Sequence, residues 1–104
     1  DAIEWLPDGR LLCLARDVLL VDPQGSGAVK LEQEQGAYDA AASPDGKTIA
    51  VGCGDGGVRF YDARSRAELR KVQLDALPLC VAWSPKGDLL AVGLRHGRIR
   101  LVVP

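Results

Sequence analysis

Methionine is absent from all 104 residues, and histidine occurs once, at His96. The three cysteines, Cys13, Cys53 and Cys80, are an odd number with no Cys-x-x-Cys pair, so neither a disulfide framework nor a zinc-ligand spacing is on offer. That usage suits a reducing, cytoplasmic setting. Long apolar runs are missing too: none approaches the roughly 18 to 20 residues a bilayer-crossing helix needs, and no basic stretch precedes an apolar one at the N-terminus. No membrane partner is expected. Charge of one sign is likewise lacking, since 13 Lys and Arg face 14 Asp and Glu for a net charge of −1. No global field therefore draws the chain to nucleic acid, and an electrostatic partner must be met by a local patch. What remains, 47% apolar and 26% charged residues, is the balance of a soluble globular protein. With Asp1 in place of an initiator methionine, the chain reads as an excerpt or processed piece of something longer.

What is present is one pattern written three times. Ile3-Glu4-Trp5-Leu6-Pro7-Asp8-Gly9 is echoed by Ala40-Ala41-Ala42-Ser43-Pro44-Asp45-Gly46 and again by Val81-Ala82-Trp83-Ser84-Pro85-Lys86-Gly87. The prolines stand 37 and then 41 residues apart (7, 44, 85). Each motif is followed by a second apolar run, a polar or glycine-rich turn, and a third run. Proline fixes φ at the turn's second position and glycine supplies the positive φ a Cβ would resist, so the runs read as antiparallel strands joined by tight turns. Strands are expected near residues 2–6, 11–14, 18–21, 40–42, 48–51, 58–61, 80–83, 89–92 and 99–102. Outer strands follow at about 28–33 and 67–74, where apolar residues mix with charge as at a wet rim.

A repeat of this length built from strands is one four-stranded propeller blade. The fold class is therefore all-β, a partial β-propeller of about two and a half blades: blade 1 at about 1–36, blade 2 at about 37–77, and an incomplete blade 3 at about 78–104. Small residues Cys13, Ala50 and Ala91 at one expected equivalent position would let neighbouring sheets approach. Trp83, Ala91, Ala50, Ile49, Val58 and Ile99 are expected among the most buried positions. Trp5 and Trp83 are equivalent, with Ala42 between them in the series, and Cys13 and Cys80 read as small buried hydrophobes. Propellers typically need about four to eight blades, so three repeats cannot close a ring. More of the chain, copies of it, or a partner must cover the terminal blades.

Several stretches carry a family likeness. Ser43-Pro44-Asp45-Gly46-Lys47, Gly54-Asp55-Gly56-Gly57-Val58-Arg59-Phe60-Tyr61-Asp62 and the run from Val81 to Gly93 resemble the WD-repeat (WD40) β-propeller family. The resemblance puts Tyr61-Asp62 in the place of the Trp-Asp dipeptide, with Val21-Asp22 a weaker counterpart, while Val102-Val103 departs from it. The family's Gly-His pair is missing, so its Asp-His network is not implied even though Asp55 stands where its Asp belongs. The run Arg70 to Pro85 with Leu90-Ala91-Val92-Gly93-Leu94-Arg95-His96-Gly97 is further similar to echinoderm microtubule-associated protein-like propellers. That likeness implies a place on cytoskeletal or ciliary microtubules; actin-associated tandem propellers look similar as well.

Chemistry-bearing candidates are few. Gly52-Cys53-Gly54-Asp55-Gly56-Gly57 looks like a phosphate loop, but a dinucleotide fingerprint needs a helix after the glycines, and Val58-Arg59-Phe60-Tyr61 has strand character. His96 lies in a hairpin turn with no Gly-x-Ser-x-Gly elbow nearby, so a nucleophile-base pair is not read here. No catalytic residue, cofactor site or metal site is assigned. Arg64, Arg66, Arg70 and Lys71 read as a solvated rim. Arg95, His96, Arg98 and Arg100 form a second basic group. The equivalent hairpin turns carry Arg16, Asp17, Asp55, Arg95 and His96, with Arg98 just beyond, and these six are the candidate partner-binding face.

The reading that follows is a non-catalytic protein-protein interaction scaffold in the cytoplasm, on cytoskeleton or cilium, with tubulin, microtubules or a multiprotein complex as partner. Two alternatives stay open. One is a segment of a propeller enzyme whose catalytic residues lie outside this chain, and the other is a short-blade protein that completes its ring by homo-oligomerisation.

Overall fold

A computed structural model describes residues 3–14, 17–25, 27–31 and 36–104. The described residues form three antiparallel sheets in chain order. The first holds β1 (Ile3–Trp5), β2 (Leu11–Leu14), β3 (Val18–Asp22) and β4 (Gly27–Lys30). The second holds β5 (Ala37–Ala42), β6 (Thr48–Cys53), β7 (Gly57–Asp62) and β8 (Glu68–Gln73). The third has β9 (Pro78–Trp83), β10 (Leu90–Leu94) and β11 (Ile99–Val102), with β10 in the centre. The helical content among the described residues is a single 3₁₀ turn, Arg95–Gly97. The chain is a partial β-propeller, its antiparallel sheets packed face to face in sequence order.

The Ser-Pro-x-Gly turns are locked by their serines. Ser43 Oγ donates to Asp45 Oδ1 at 2.6 Å and accepts from the Thr48 amide at 3.1 Å; Ser84 Oγ does the same with Asp88 Oδ1 and the Leu89 amide. Gly46 sits at φ 73°, and a Cβ there would lie 2.7 Å from Pro7 Cδ, so glycine is needed both for the turn and for the approach of the neighbouring blade.

The first repeat is built shorter, and its register corrects one expectation. In the later repeats the turn is closed by amide-to-carbonyl bonds Ser43 to Thr48 and Ser84 to Leu89, but in the first by Leu6 to Arg10, one residue less. Trp5 therefore pairs with Leu11, where Ala42 pairs with Ile49 and Trp83 with Leu90. The equivalent of Ala50 and Ala91 is thus Leu12, not Cys13. Because side chains alternate across a strand, a one-residue slip turns Cys13 to the opposite face.

Two cores lie between the sheets. Leu6, Leu12, Val18, Leu20 and Leu31 of the first blade meet Ala42, Ile49, Val51, Cys53 and Tyr61 of the second. Ala50, Val58 and Phe60 on the second blade's other face meet Val81, Leu90, Val92 and Val102 of the third. The middle sheet is buried on both faces, the outer two on one.

That asymmetry decides the burial expectations. Ala50, Ile49 and Val58 are buried as expected, whereas Ala91 is half-buried and Ile99 is 74% exposed; Trp83 is half-buried for another reason, since it packs on the second blade but lines the cleft along the inner strands. By register Ile99 and Leu101 are the counterparts of Val58 and Phe60, which the third blade covers; among the described residues nothing covers the third blade's own far face. The same reason overturns the cysteine expectation. Cys13 is half-buried and Cys80 exposed, each on an uncovered face, while Cys53, between two blades, is buried.

Candidate interaction face

The innermost strands β1, β5 and β9 converge on a cleft of about 670 Å³ lined by Glu4, Asp39, Ala41, Val81 and Trp83 among others. An inner strand has an edge with no further strand beside it, so its outward amides need acceptors. Carboxylates from the preceding blade supply them: Glu4 Oε1 accepts from the Ala42 amide and Asp39 Oδ2 from the Val81 amide, both at 2.9 Å. Trp83 adds a bond in the opposite direction, its indole Nε1 donating to the Ala41 carbonyl at 2.9 Å. Its ring meets Phe60 edge to face, with centroids 5.9 Å apart and planes at 70°. Sequence reading missed Glu4 and Asp39. The available signal was an acid within an otherwise apolar inner strand.

The hairpin turns between second and third strands of each sheet lie at one end of the molecule by topology, and most of the candidate face falls there. Arg16 lies outside the described residues. Asp17 is within 3.4 Å of Lys30 Nζ. Asp55 is drawn inward: it accepts from the Gly57 amide at 3.0 Å and from Arg59 Nη2 at 2.9 Å, and Lys71 Nζ is 3.5 Å away. Burial works to raise its pKa, but the Gly57 amide and the Arg59 and Lys71 cations outweigh it and hold the carboxyl below its ordinary value. Arg59, little exposed, also reaches Glu68 Oε1 at 3.3 Å and donates to Cys53 Sγ at 3.8 Å. Asp55 therefore ties β7 to β8 by charge and is not a free contact residue.

The third turn is different. Its backbone is pinned by the Leu94 amide on the Arg98 carbonyl at 2.7 Å and the Arg95 amide on the Leu77 carbonyl at 3.0 Å. His96 sits at φ 70°, in the left-handed region that turns use. Arg95, His96 and Arg98 are all exposed. Arg98 is 3.4 Å from Asp75, and among the described residues Arg95 and His96 have no ion pair. Of the six expected residues, then, Asp17, Asp55 and Arg98 are paired locally, and Arg95 and His96 stand exposed with no ion pair among the described residues.

The Tyr61-Asp62 pair divides its work. Tyr61 is buried in the core between the first two blades, which pushes its phenol pKa up to about 12. Asp62 accepts from the Ser65 and Arg64 amides and so caps the β7–β8 turn. On the rim Arg64, Arg66, Arg70 and Lys71 are exposed. The described residues contain no group of His, Cys, Asp and Glu arranged to hold a metal, and no helix there is long and apolar enough to cross a membrane.

Comparison with known proteins agrees with this architecture. The family described as the Anaphase-promoting complex subunit 4 WD40 domain matches residues 29–84, and the WD domain, G-beta repeat, matches residues 75–102. WD repeat-containing protein dyf-2 of Caenorhabditis elegans is 27% identical over 103 residues, covering 91% of this chain and 7% of that protein. An Enhancer of mRNA-decapping protein 4 homolog of Drosophila melanogaster is 53% identical over 36 residues, 35% of this chain and 3% of that one. The chain thus spans a small fraction of the length of these relatives. Among solved structures, a chain of the Mitotic Checkpoint Complex superposes with TM-score 0.82 at 24% identity, over 97% of this chain and 33% of its own. The hydrazine synthase of Kuenenia stuttgartiensis gives 0.85 at 20% identity, over 97% and 31%, and the Cps50 (Swd1) propeller domain of Myceliophteria thermophila gives 0.83 at 19%, over 98% and 34%. At such identities these likenesses show the fold alone, and an enzyme stands among them. With more than half of its length matched by a WD40 domain and three blade-like sheets in register, the chain belongs to the WD40-repeat family of β-propellers.

Proposed function

We propose that this chain is a non-catalytic interaction scaffold whose contact centres on the third-blade turn, with Arg95, His96 and Arg98 presented to an acidic segment of a protein partner. The supporting observation is the difference between the turns: Asp17 and Asp55 are occupied by Lys30, Arg59 and Lys71, while Arg95 and His96 stand exposed on a pinned backbone. Family membership supports the scaffold reading, since WD40 propellers generally mediate protein-protein contacts and carry their specificity in loops grafted on a rigid ring. The acidic partner that best suits the cytoplasmic, cytoskeletal or ciliary reading is a glutamate-rich tubulin tail. Surface charge attraction is screened within roughly 8 to 10 Å at physiological ionic strength, so binding should weaken with added salt. Microtubule co-sedimentation of wild type and an Arg95→Glu, Arg98→Glu double variant tests this. The double variant should pellet several-fold less at low salt; equal pelleting of the two would move the contact off this turn.

A further inference from the structure

Two apolar side chains stand out at the end of the molecule that carries the basic turn. The pairing of β5 with β6 slips between Ala37 and Asp39, and that of β9 with β10 slips where Gly93 gives way to Leu94, so Tyr38 and Leu79 are each an extra residue without a partner across the ladder. Register makes them counterparts: Gly52 and Gly93, the last partners before the slip, pair with Asp39 and Cys80. A bulge re-aims its side chain away from the regular alternation. Tyr38 is 47% exposed and Leu79 44%, while Ala40, Pro78 and Val81 near them are buried. Tyr38 belongs to the middle sheet, which has a neighbour on both faces, so the bulge and not a missing blade exposes it.

Both bulges border the turns. Tyr38 lies over Gly54 of the β6–β7 turn, where a Cβ would meet its Cε2 at 4.0 Å. The counterpart of Gly54 is Arg95, whose amide is bonded to the Leu77 carbonyl, two residues before Leu79. The third blade thus sets a cation beside its bulge where the second sets a glycine. The two bulged strands are themselves joined by the Asp39 bond to the Val81 amide. We infer that Tyr38 and Leu79 are the apolar half of the interaction face, taking a large aliphatic or aromatic side chain from a partner segment whose flanking acids meet Arg95 and His96. This rests on the proposed acidic partner and narrows it, because a run of glutamates alone would leave Tyr38 and Leu79 in water. Charge complementarity names the acids, and the exposed bulges name the apolar residue among them. Burying one such side chain is worth about tenfold in affinity.

Fluorescence polarisation with the full-length protein and two labelled peptides tests this, one of glutamates alone and one of the same length with a central phenylalanine. The phenylalanine peptide should bind about tenfold tighter and retain that advantage as salt is raised, since apolar burial is not screened as surface charge is. Tyr38→Ser and Leu79→Ser, both at exposed positions, should each shrink the advantage several-fold with far-UV circular dichroism unchanged, and should bind the plain glutamate peptide as wild type does. Arg95→Glu should weaken both peptides and leave their ratio intact. Equal affinity of the two peptides, or an advantage indifferent to both serine variants, overturns the inference and leaves the acidic reading standing. An advantage lost in the serine variants, with neither peptide affected by Arg95→Glu, overturns the acidic reading and keeps the apolar contact; no binding of either peptide overturns both.

Discussion

Replacing Trp83 measures the joint on which the propeller reading rests. Complete loss of a large buried aromatic costs about 3 to 5 kcal/mol. Trp83 is half-buried, so its burial contributes less, but it also forms the edge-to-face pair with Phe60, worth about 0.5 to 1.5 kcal/mol. The Nε1 bond to the Ala41 carbonyl adds about 1 kcal/mol. Trp83→Ala is therefore expected to cost about 2 to 3 kcal/mol. Trp83→Phe keeps a ring against Phe60 and loses only the indole bond, so it should cost about 1 kcal/mol. Urea unfolding of each variant at the same chain concentration reads both. A double-mutant cycle with Phe60→Leu should return a coupling of at least about 0.5 kcal/mol. Costs below about 1 kcal/mol for Trp83→Ala, with no coupling to Phe60, would refute the blade-to-blade packing.

Asp39→Ala leaves the part-buried Val81 amide at the inner edge without its acceptor, and loss of a hydrogen bond of this kind costs about 0.5 to 1.5 kcal/mol. Asp39→Asn retains an acceptor and should cost less, and amide exchange at Val81 should speed up selectively in the alanine variant. The acid limb of stability is the other test. Because the Asp55 carboxyl is held below its ordinary value in the folded state, its contribution is fully present above the unfolded carboxylate pKa of about 3.9 and is lost as pH falls through the folded value. Asp55→Asn should therefore lower the melting temperature across pH 5 to 8, where that contribution is fully present, and flatten its fall below about pH 4; an unaltered acid limb would show that the Arg59 and Lys71 pairing carries no stability.

The amino-acid sequence determined the sheet architecture because its information is local. Pro7, Pro44 and Pro85 fix turn dihedrals, the serines that follow the second and third inner strands lock those turns, and the apolar runs between them can only pair antiparallel over connections so short. The turn positions of Asp17, Asp55, Arg95, His96 and Arg98 were legible for the same reason. Register within the first blade was not. Trp5 and Leu11 pair one residue earlier than the motif suggests, and only the turn closed at Arg10 reveals that Leu12 and not Cys13 faces the next blade. Nor could the sequence tell Asp55 from Arg95 as contact residues. Both are charged turn residues, and their difference arises from cations on β7 and β8 that fold back onto one and not the other. Burial at Ile99 and Trp5 was the hardest to read, since each carries a core-type side chain for a neighbour that only the tertiary arrangement shows to be uncovered. Local chemistry chose the strands and turns, and packing between blades decided which side chains became core, which became staples between sheets, and which were left facing outward.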